Sequence, residues 1–267
     1  MTKISILGCG WLGLPLAKAL LAKGFSVNGS TTSQEKLSIL QNDGINPFLI
    51  QLDSKSVSGT IETFLQGSTI LVLDIPPKLR GNSSEDFVGK IQNLIPFIEK
   101  SSVENVLFIS STSVYGEKND SVTEETPLNP DTEGGRQLVI VESLLQKNEN
   151  FKTTILRFGG LIGEDRNPVK FLAGRENIEN PDAPINLIHQ EDCIGIILKI
   201  IEEESWNETF NAVSPFHPSR EQYYTQKALE LNLAAPKFSH EKPSFGKTIE
   251  STKVEKIVKY TFLRKDL

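Results

Sequence analysis

The sequence predicts an α/β fold: a doubly wound parallel sheet with helices on both faces and a small C-terminal lobe. Three observations predict it. A short, β-branched apolar run at the start turns into a helix across closely spaced glycines. Strand-like and helix-like stretches alternate after it, which implies parallel strands joined by covering helices. The 267 residues are enough to bury a sizeable core in one large unit or two small ones.

The first strand holds Ile4, Ile6 and Leu7 and runs into Gly8-Cys9-Gly10-Trp11-Leu12-Gly13, a match to G-x-G-x-x-G. Gly8 permits the tight turn, Gly10 lets backbone approach a phosphate, and Gly13 lets the helix pack closely on the strand. The helix start then offers unpaired N–H groups and the positive end of a dipole, both suited to an anion. Leu12, Leu16, Ala19, Leu20 and Lys23 keep helical spacing up to Gly24, and Pro15 lies in the first turn, where its missing N–H costs little. This is the Rossmann form of a dinucleotide seat, with Trp11 and Leu12 inside the loop.

A second strand is expected over 25–30. NAD-binding folds commonly place a carboxylate at the end of this strand, about 20 residues past the glycines, for the ribose 2′-hydroxyl. Here Thr31, Thr32 and Ser33 stand in that place, with Lys36 one helical turn on. No carboxylate would repel a 2′-phosphate, and hydroxyls and an ammonium lie near it, so NADP is favoured over NAD. The same residues also suit the cap of a helix beginning near Gln34. A third strand over 47–52 ends in Asp53, placed to meet an adenine or to serve as a turn residue. A fourth over 69–73 ends in Asp74-Ile75-Pro76-Pro77, whose proline pair stops the strand at the carboxyl edge of the sheet, where ligands sit.

A helix over 87–100 feeds a fifth strand at 106–109. Later, a helix over 193–204 presents Ile194, Ile197, Leu198 and Ile201 as a buried face. A last helix is expected over 220–231, and a closing tail over 244–260 with Lys247, Lys253 and Lys256 exposed. The expected division is a core of 1–160 and a mixed lobe of 161–267 that returns segments to the core. No internal repeat or long linker separates them.

Composition narrows the function. A net charge of -6 with 23% charged residues leaves no basic footprint for nucleic acid. The two cysteines, Cys9 and Cys193, make neither a disulfide framework nor a metal site and point to a reducing compartment. No signal-like stretch opens the chain and no apolar run approaches membrane length, so a cytoplasmic location is expected.

The fifth strand runs into Ser110-Ser111-Thr112-Ser113-Val114-Tyr115-Gly116. With the opening motif, this resembles the short-chain dehydrogenase/reductase superfamily in its extended, nucleotide-sugar epimerase/dehydratase branch. The stretches Leu156-Arg157-Phe158-Gly159-Gly160-Leu161-Ile162-Gly163, Asn186-Leu187-Ile188-His189-Gln190-Glu191-Asp192 and Thr209-Phe210-Asn211-Ala212-Val213 extend the likeness. The resemblance implies an NAD(P)-binding oxidoreductase or epimerase/dehydratase acting on a sugar-nucleotide-like or other small hydroxyl/carbonyl substrate. It also implies that Ile75, Pro76, Pro77, Ser110, Phe158 and Leu161 border the cofactor, and it makes a homodimer through sheet-flanking helices plausible.

In that family a Tyr in Tyr-x-x-x-Lys moves the substrate proton, and the Lys binds nicotinamide-ribose hydroxyls. A Ser or Thr at the end of the fifth strand orients the substrate oxygen. Ser111 takes the last role, with Thr112 as the near alternative. The Tyr-Lys pair is absent: its place reads Thr132-Glu133-Gly134-Gly135-Arg136. Thr132 and Arg136 keep the four-residue spacing of one helix face, and Arg136 can still donate to ribose hydroxyls. Thr132 is too weak an acid for proton transfer near neutrality. Tyr115, Arg166 and His189 are the candidate substrate contacts, and Glu133 and Glu164 are further carboxylates without a distinguishing signal. Tyr115 belongs in the family to a structural turn, Arg166 could equally be a solvated loop residue, and His189 could simply be bonded near a helix start. The alternative function is a catalytically silent NADP(H)-binding sensor or scaffold.

Overall fold

The computed structural model describes residues 2–79, 85–117, 121–264 and 267. Its centre is a sheet of β1 (Lys3–Leu7), β2 (Ser26–Thr31), β3 (Asn46–Leu49), β4 (Ile70–Leu73), β5 (Asn105–Ser111), β6 (Lys152–Phe158) and β7 (Thr209–Ala212). The spatial order is β7-β6-β5-β4-β1-β2-β3, and every neighbouring pair is parallel. The helices are α1 (Gly13–Ala22), α2 (Lys36–Asn42), α3 (Ile61–Leu65), α4 (Phe87–Glu99), α5 (Glu133–Gln146), α6 (Gln190–Glu202) and α7 (Arg220–Glu230). This is the doubly wound Rossmann-type architecture that the alternation of elements predicts.

Side-chain alternation along the strands feeds two cores, one on each face. Ile4, Ile6, Ile70 and Val72 face α1 and α6 and pack with Leu16, Leu20, Ile196 and Ile200. Leu7, Leu71 and Leu73 face the other way and pack with Ile91, Leu94, Leu138 and Val141 of α4 and α5. Because both faces are covered, the central strand β4 reads as a continuous apolar run, Ile70-Leu71-Val72-Leu73. β1 lies between β2 and β4, so the chain leaves it in one direction and later returns on its other side. That reversal opens a crevice at the carboxyl ends of β1 and β4.

Two expectations about the fold are corrected. The strand expected over 47–52 is two pieces: Asn46–Leu49 joins the sheet, while Gln51–Leu52 pairs antiparallel with Val57–Ser58. The chain turns away at Ile50, whose N–H is the last to bond to β2, at Thr31 O. In the tail, Lys247 is buried rather than exposed, because its ammonium donates to Tyr115 O and Glu117 Oε1, each at 2.8 Å. From the lobe, Gly160–Ile162 pairs with Leu187–His189, and Thr248–Ile249 pairs with Ser121–Val122. Among the described residues no helix is long and apolar enough to cross a membrane.

Candidate functional site

The glycine loop sits at the mouth of the crevice, held from both sides. Ser30 of β2 accepts the Gly8 N–H on its hydroxyl at 2.9 Å and the Cys9 N–H on its carbonyl at 2.8 Å. Gly8 has φ 112°, and a Cβ there would overlap the Asp74 carbonyl oxygen. A Cβ at Gly13 would overlap the Gly8 carbonyl oxygen and stand 3.0 Å from Asp74 Oδ2. Gly10 differs, because a Cβ there would meet nothing within 4 Å. The α1 start has no side-chain cap and no acidic residue of its own in the first turn. Among the described residues the Trp11 and Leu12 N–H groups have no acceptor. An open face, acceptor-free amides and a helix N-terminus together fit the diphosphate of a dinucleotide.

Around this seat the sequence-predicted residues divide. Ile75 packs beside Gly8, and Pro76 and Pro77 follow it along the crevice edge. Thr31 caps the turn after β2 by accepting the Ser33 N–H at 3.1 Å, leaving Thr32 and Lys36 exposed. Asp53 is exposed in the small hairpin, where its carboxylate accepts the Lys55 N–H at 3.2 Å. Leu161 is half-buried against the core. Phe158 is buried at 2% exposure in that core, so its side chain is not offered to a cofactor as expected. The Cys9 thiol is pushed up to about 12, chiefly by burial, which removes it as a nucleophile near neutrality.

The end of β5 separates its two serines. Consecutive strand residues face opposite ways. Ser110 turns inward and donates to Glu142 Oε1 at 2.6 Å, so its hydroxyl is not a cofactor contact as expected. Ser111 is half-buried on the opposite side and caps the turn Thr112–Val114 by accepting the Ser113 N–H at 3.2 Å. Its O–H remains able to donate to a substrate oxygen. The start of α5 lies against this turn, since a Cβ at Gly135 would overlap Ser113 O.

Thr132 is outside α5 as its N-cap, with φ -109° and ψ 153°, and its hydroxyl accepts the Gly135 N–H at 3.1 Å. It therefore does not share a helix face with Arg136 as the spacing implied. Arg136 is exposed, with Nε on Glu133 at 2.9 Å and Nη1 on Asp131 O at 3.4 Å. Thr132→Ala is expected to lower stability by about 1 kcal/mol, the usual worth of such a cap. That is a drop of a few degrees in melting temperature, with any turnover unchanged. A loss of turnover at unchanged stability would restore Thr132 to the chemistry.

Tyr115 is also corrected. It is 2% exposed, donates to Asn211 Oδ1 at 2.9 Å and accepts from Arg157 Nη1 at 2.6 Å. Burial raises the phenol above its ordinary range against the pull of Arg157. Arg157 in turn forks onto Glu142, with Nη2 2.6 Å from Oε2. Tyr115 is thus part of a buried network that ties β5, β6, β7 and α5 together, not a substrate contact.

The lobe meets the glycine loop through Trp11. Its indole N–H donates to Asp165 at 2.7 Å, the Arg166 guanidinium lies 5.0 Å from the ring centroid, and Gln190 donates to its carbonyl at 2.7 Å. Arg166 is exposed beside the dinucleotide seat. His189 lines a cavity of about 330 Å³ with Ile162, Gly163, Glu164, Asn167, Lys227, Arg264 and Leu267. Its Nδ1 accepts the Glu191 N–H at 3.2 Å, which leaves the ring proton on Nε2. Ser111 does not line this cavity. Two residues of the site were not singled out by the sequence: Ser30, which reads as an ordinary strand residue, and Asp74, whose signal is a carboxylate ending the strand next to the glycine loop.

A parallel sheet with a glycine-lined turn at its switch point and bare amides facing the crevice defines an α/β protein of the dinucleotide-binding class. The chain belongs to the NAD dependent epimerase/dehydratase family, whose model matches residues 4–212. Protein YeeZ of Escherichia coli is 34% identical over 256 residues, covering 95% of this chain and 93% of that protein. Two solved structures share the fold. A functionally unknown protein from Silicibacter pomeroyi superposes with TM-score 0.82 at 20% identity, covering 100% of this chain and 95% of the other. A UDP-glucuronic acid 4-epimerase from Bacillus cereus, in complex with UDP-glucuronic acid and NAD, gives TM-score 0.78 at 19% identity, covering 97% and 94%.

Proposed function

We propose that the chain is an NAD(P)-dependent oxidoreductase of the epimerase/dehydratase kind, seating NADP in preference to NAD and acting on a nucleotide-sugar-like or other small hydroxyl/carbonyl substrate. The observation that carries this reading is the open face at Gly10, beside the acceptor-free Trp11 and Leu12 amides. The exposed Thr32 just after β2 and Lys36 at the start of α2, with no carboxylate over 31–33, support the preference for a 2′-phosphate. The substrate class is supported by family membership and by the sugar nucleotide bound in the Bacillus cereus structure. A dinucleotide bound there supplies the nicotinamide carbon that takes up and returns hydride.

The chain's own residues orient and exclude. Ser111 donates its hydroxyl to the substrate oxygen. Arg136 exchanges part of its pairing with Glu133 for ribose hydroxyls. Arg166, held over Trp11, offers positive charge beside the diphosphate, and the His189 Nε2–H serves as a donor from the lobe. With Thr132 spent as a cap and Tyr115 buried, the substrate hydroxyl proton passes to water at Ser111.

Hydride exchange with NADPH across a panel of sugar nucleotides and small carbonyl compounds tests the reading. Ser111→Ala is expected to reduce kcat/KM at least 100-fold while the Kd for NADPH stays within about threefold, because one positioned donor contributes on that scale. Tight cofactor binding with no exchange across the whole panel would count against catalysis. The engagement of Thr132 and Tyr115 in purely structural bonds favours, as second reading, a silent NADP(H) sensor. That reading expects a protein partner whose affinity differs between the oxidised and reduced cofactor.

A further inference from the structure

We propose that Asp74 helps to seat the dinucleotide as a neutral carboxylic acid, so that one proton enters the site together with the cofactor when the solution is at or above neutrality. This rests on the reading that the crevice binds a nicotinamide dinucleotide. Asp74 follows β4 directly and lies between the two arms of the glycine loop. Its carbonyl oxygen bounds Gly8, and Oδ2 stands 3.0 Å from where a Gly13 Cβ would be. Its carboxyl faces the Gly13 N–H at the first turn of α1, the same turn whose Trp11 and Leu12 amides are left for the diphosphate. Two anions would therefore compete for one helix terminus. Only a protonated Asp74 removes that conflict: one oxygen accepts from Gly13 N–H, and the O–H donates to a diphosphate oxygen.

The surroundings favour that form. Burial raises the carboxyl to about 7, with the Gly13 N–H pulling the other way. Among the described residues no Lys, Arg or His forms an ion pair with Asp74. Ser30 of β2 is uncharged, as are Ile75, Pro76 and Pro77 beyond β4. The titratable groups that sense its charge are Cys9 on the loop and Cys193 on α6, and burial raises both thiols, so both are neutral near pH 7. Arg166 reaches the field of Cys193 but its guanidinium lies over Trp11. A diphosphate brought to this terminus raises the carboxyl further, and the proton comes from solvent.

Calorimetric titration with NADH, which has no 2′-phosphate to titrate, checks this in two buffers of different ionisation heat. At pH 8 the wild-type protein is expected to take up between half and one proton per cofactor bound. Its Kd should rise by up to tenfold per pH unit above pH 7. Asp74→Asn, which keeps the acceptor and stays neutral, should bind without proton uptake and with a flat profile from pH 6 to 8.5. No proton uptake by the wild type with a pH-independent Kd would overturn the proposal while leaving dinucleotide binding intact, as would Asp74→Asn retaining the wild-type slope. Failure of both NADH and NADPH to bind at any pH would remove the underlying reading and the proposal with it.

Discussion

Gly10→Glu is expected to give a folded protein that has lost at least 100-fold in affinity for NADPH. The two halves of this expectation have separate causes. A Cβ at Gly10 meets no protein atom within 4 Å and leads into open space, so the melting temperature of the cofactor-free protein should move by no more than about 2 °C. The same side chain fills the space in front of the Trp11 and Leu12 amides and brings a carboxylate to within roughly 5 Å of a diphosphate. At an effective dielectric near 20 that repulsion alone is about 3 kcal/mol, or two orders of magnitude in Kd. Gly13→Val gives the contrast: its Cβ overlaps Gly8 O, so the fold itself should fail. Fluorescence titration beside thermal melts separates the cases. Gly10→Glu binding within tenfold of wild type would mean that the loop is not the cofactor seat.

Among variants that still fold, a large loss of stability is expected at Glu142. It is 2% exposed and accepts from Ser110 and from both Nε and Nη2 of Arg157, which is itself 5% exposed. Glu142→Ala leaves a buried guanidinium without its counter-charge, at about 3–5 kcal/mol. For a chain of this size that is on the order of 10 °C in melting temperature. The double variant Glu142→Leu, Arg157→Met should recover most of the loss, because removing both charges together strands neither. Differential scanning calorimetry of the two proteins decides it. A loss under 2 °C in the single variant would show that Arg157 finds water or another acceptor.

The parts of the fold that were legible in the sequence are those written in local pattern. The turn from β1 into α1 shows in the spacing of its glycines, of which Gly13 clears Gly8 O five residues back, and the strand-helix alternation follows from period and length. What was not legible depends on partners far along the chain. Ser110 and Ser111 look alike in sequence, yet Glu142, 32 residues away, claims one and leaves the other. Tyr115 is drawn into the core by Arg157 and Asn211, 42 and 96 residues on. Lys247 is buried because Glu117 and Tyr115 O lie 130 and 132 residues back. Thr132 shows the opposite case: a four-residue spacing implies a shared helix face, but the helix begins one residue later and turns the threonine into its cap. The end of β3 failed for a related reason, since its apolar residues continue past Ile50 into a hairpin that leaves the sheet.

The spatial order of the strands also bears on how the chain is assembled during synthesis. β1, which emerges first, lies in the interior of the sheet, β2 and β3 extend it on one side, and β4 to β7 add on the other, each to the edge laid down just before. Every partial chain can therefore dock its newest strand without displacing an older one. The cost is a succession of provisional open edges, the last of which, on β6, stays exposed until residues 209–212 leave the ribosome.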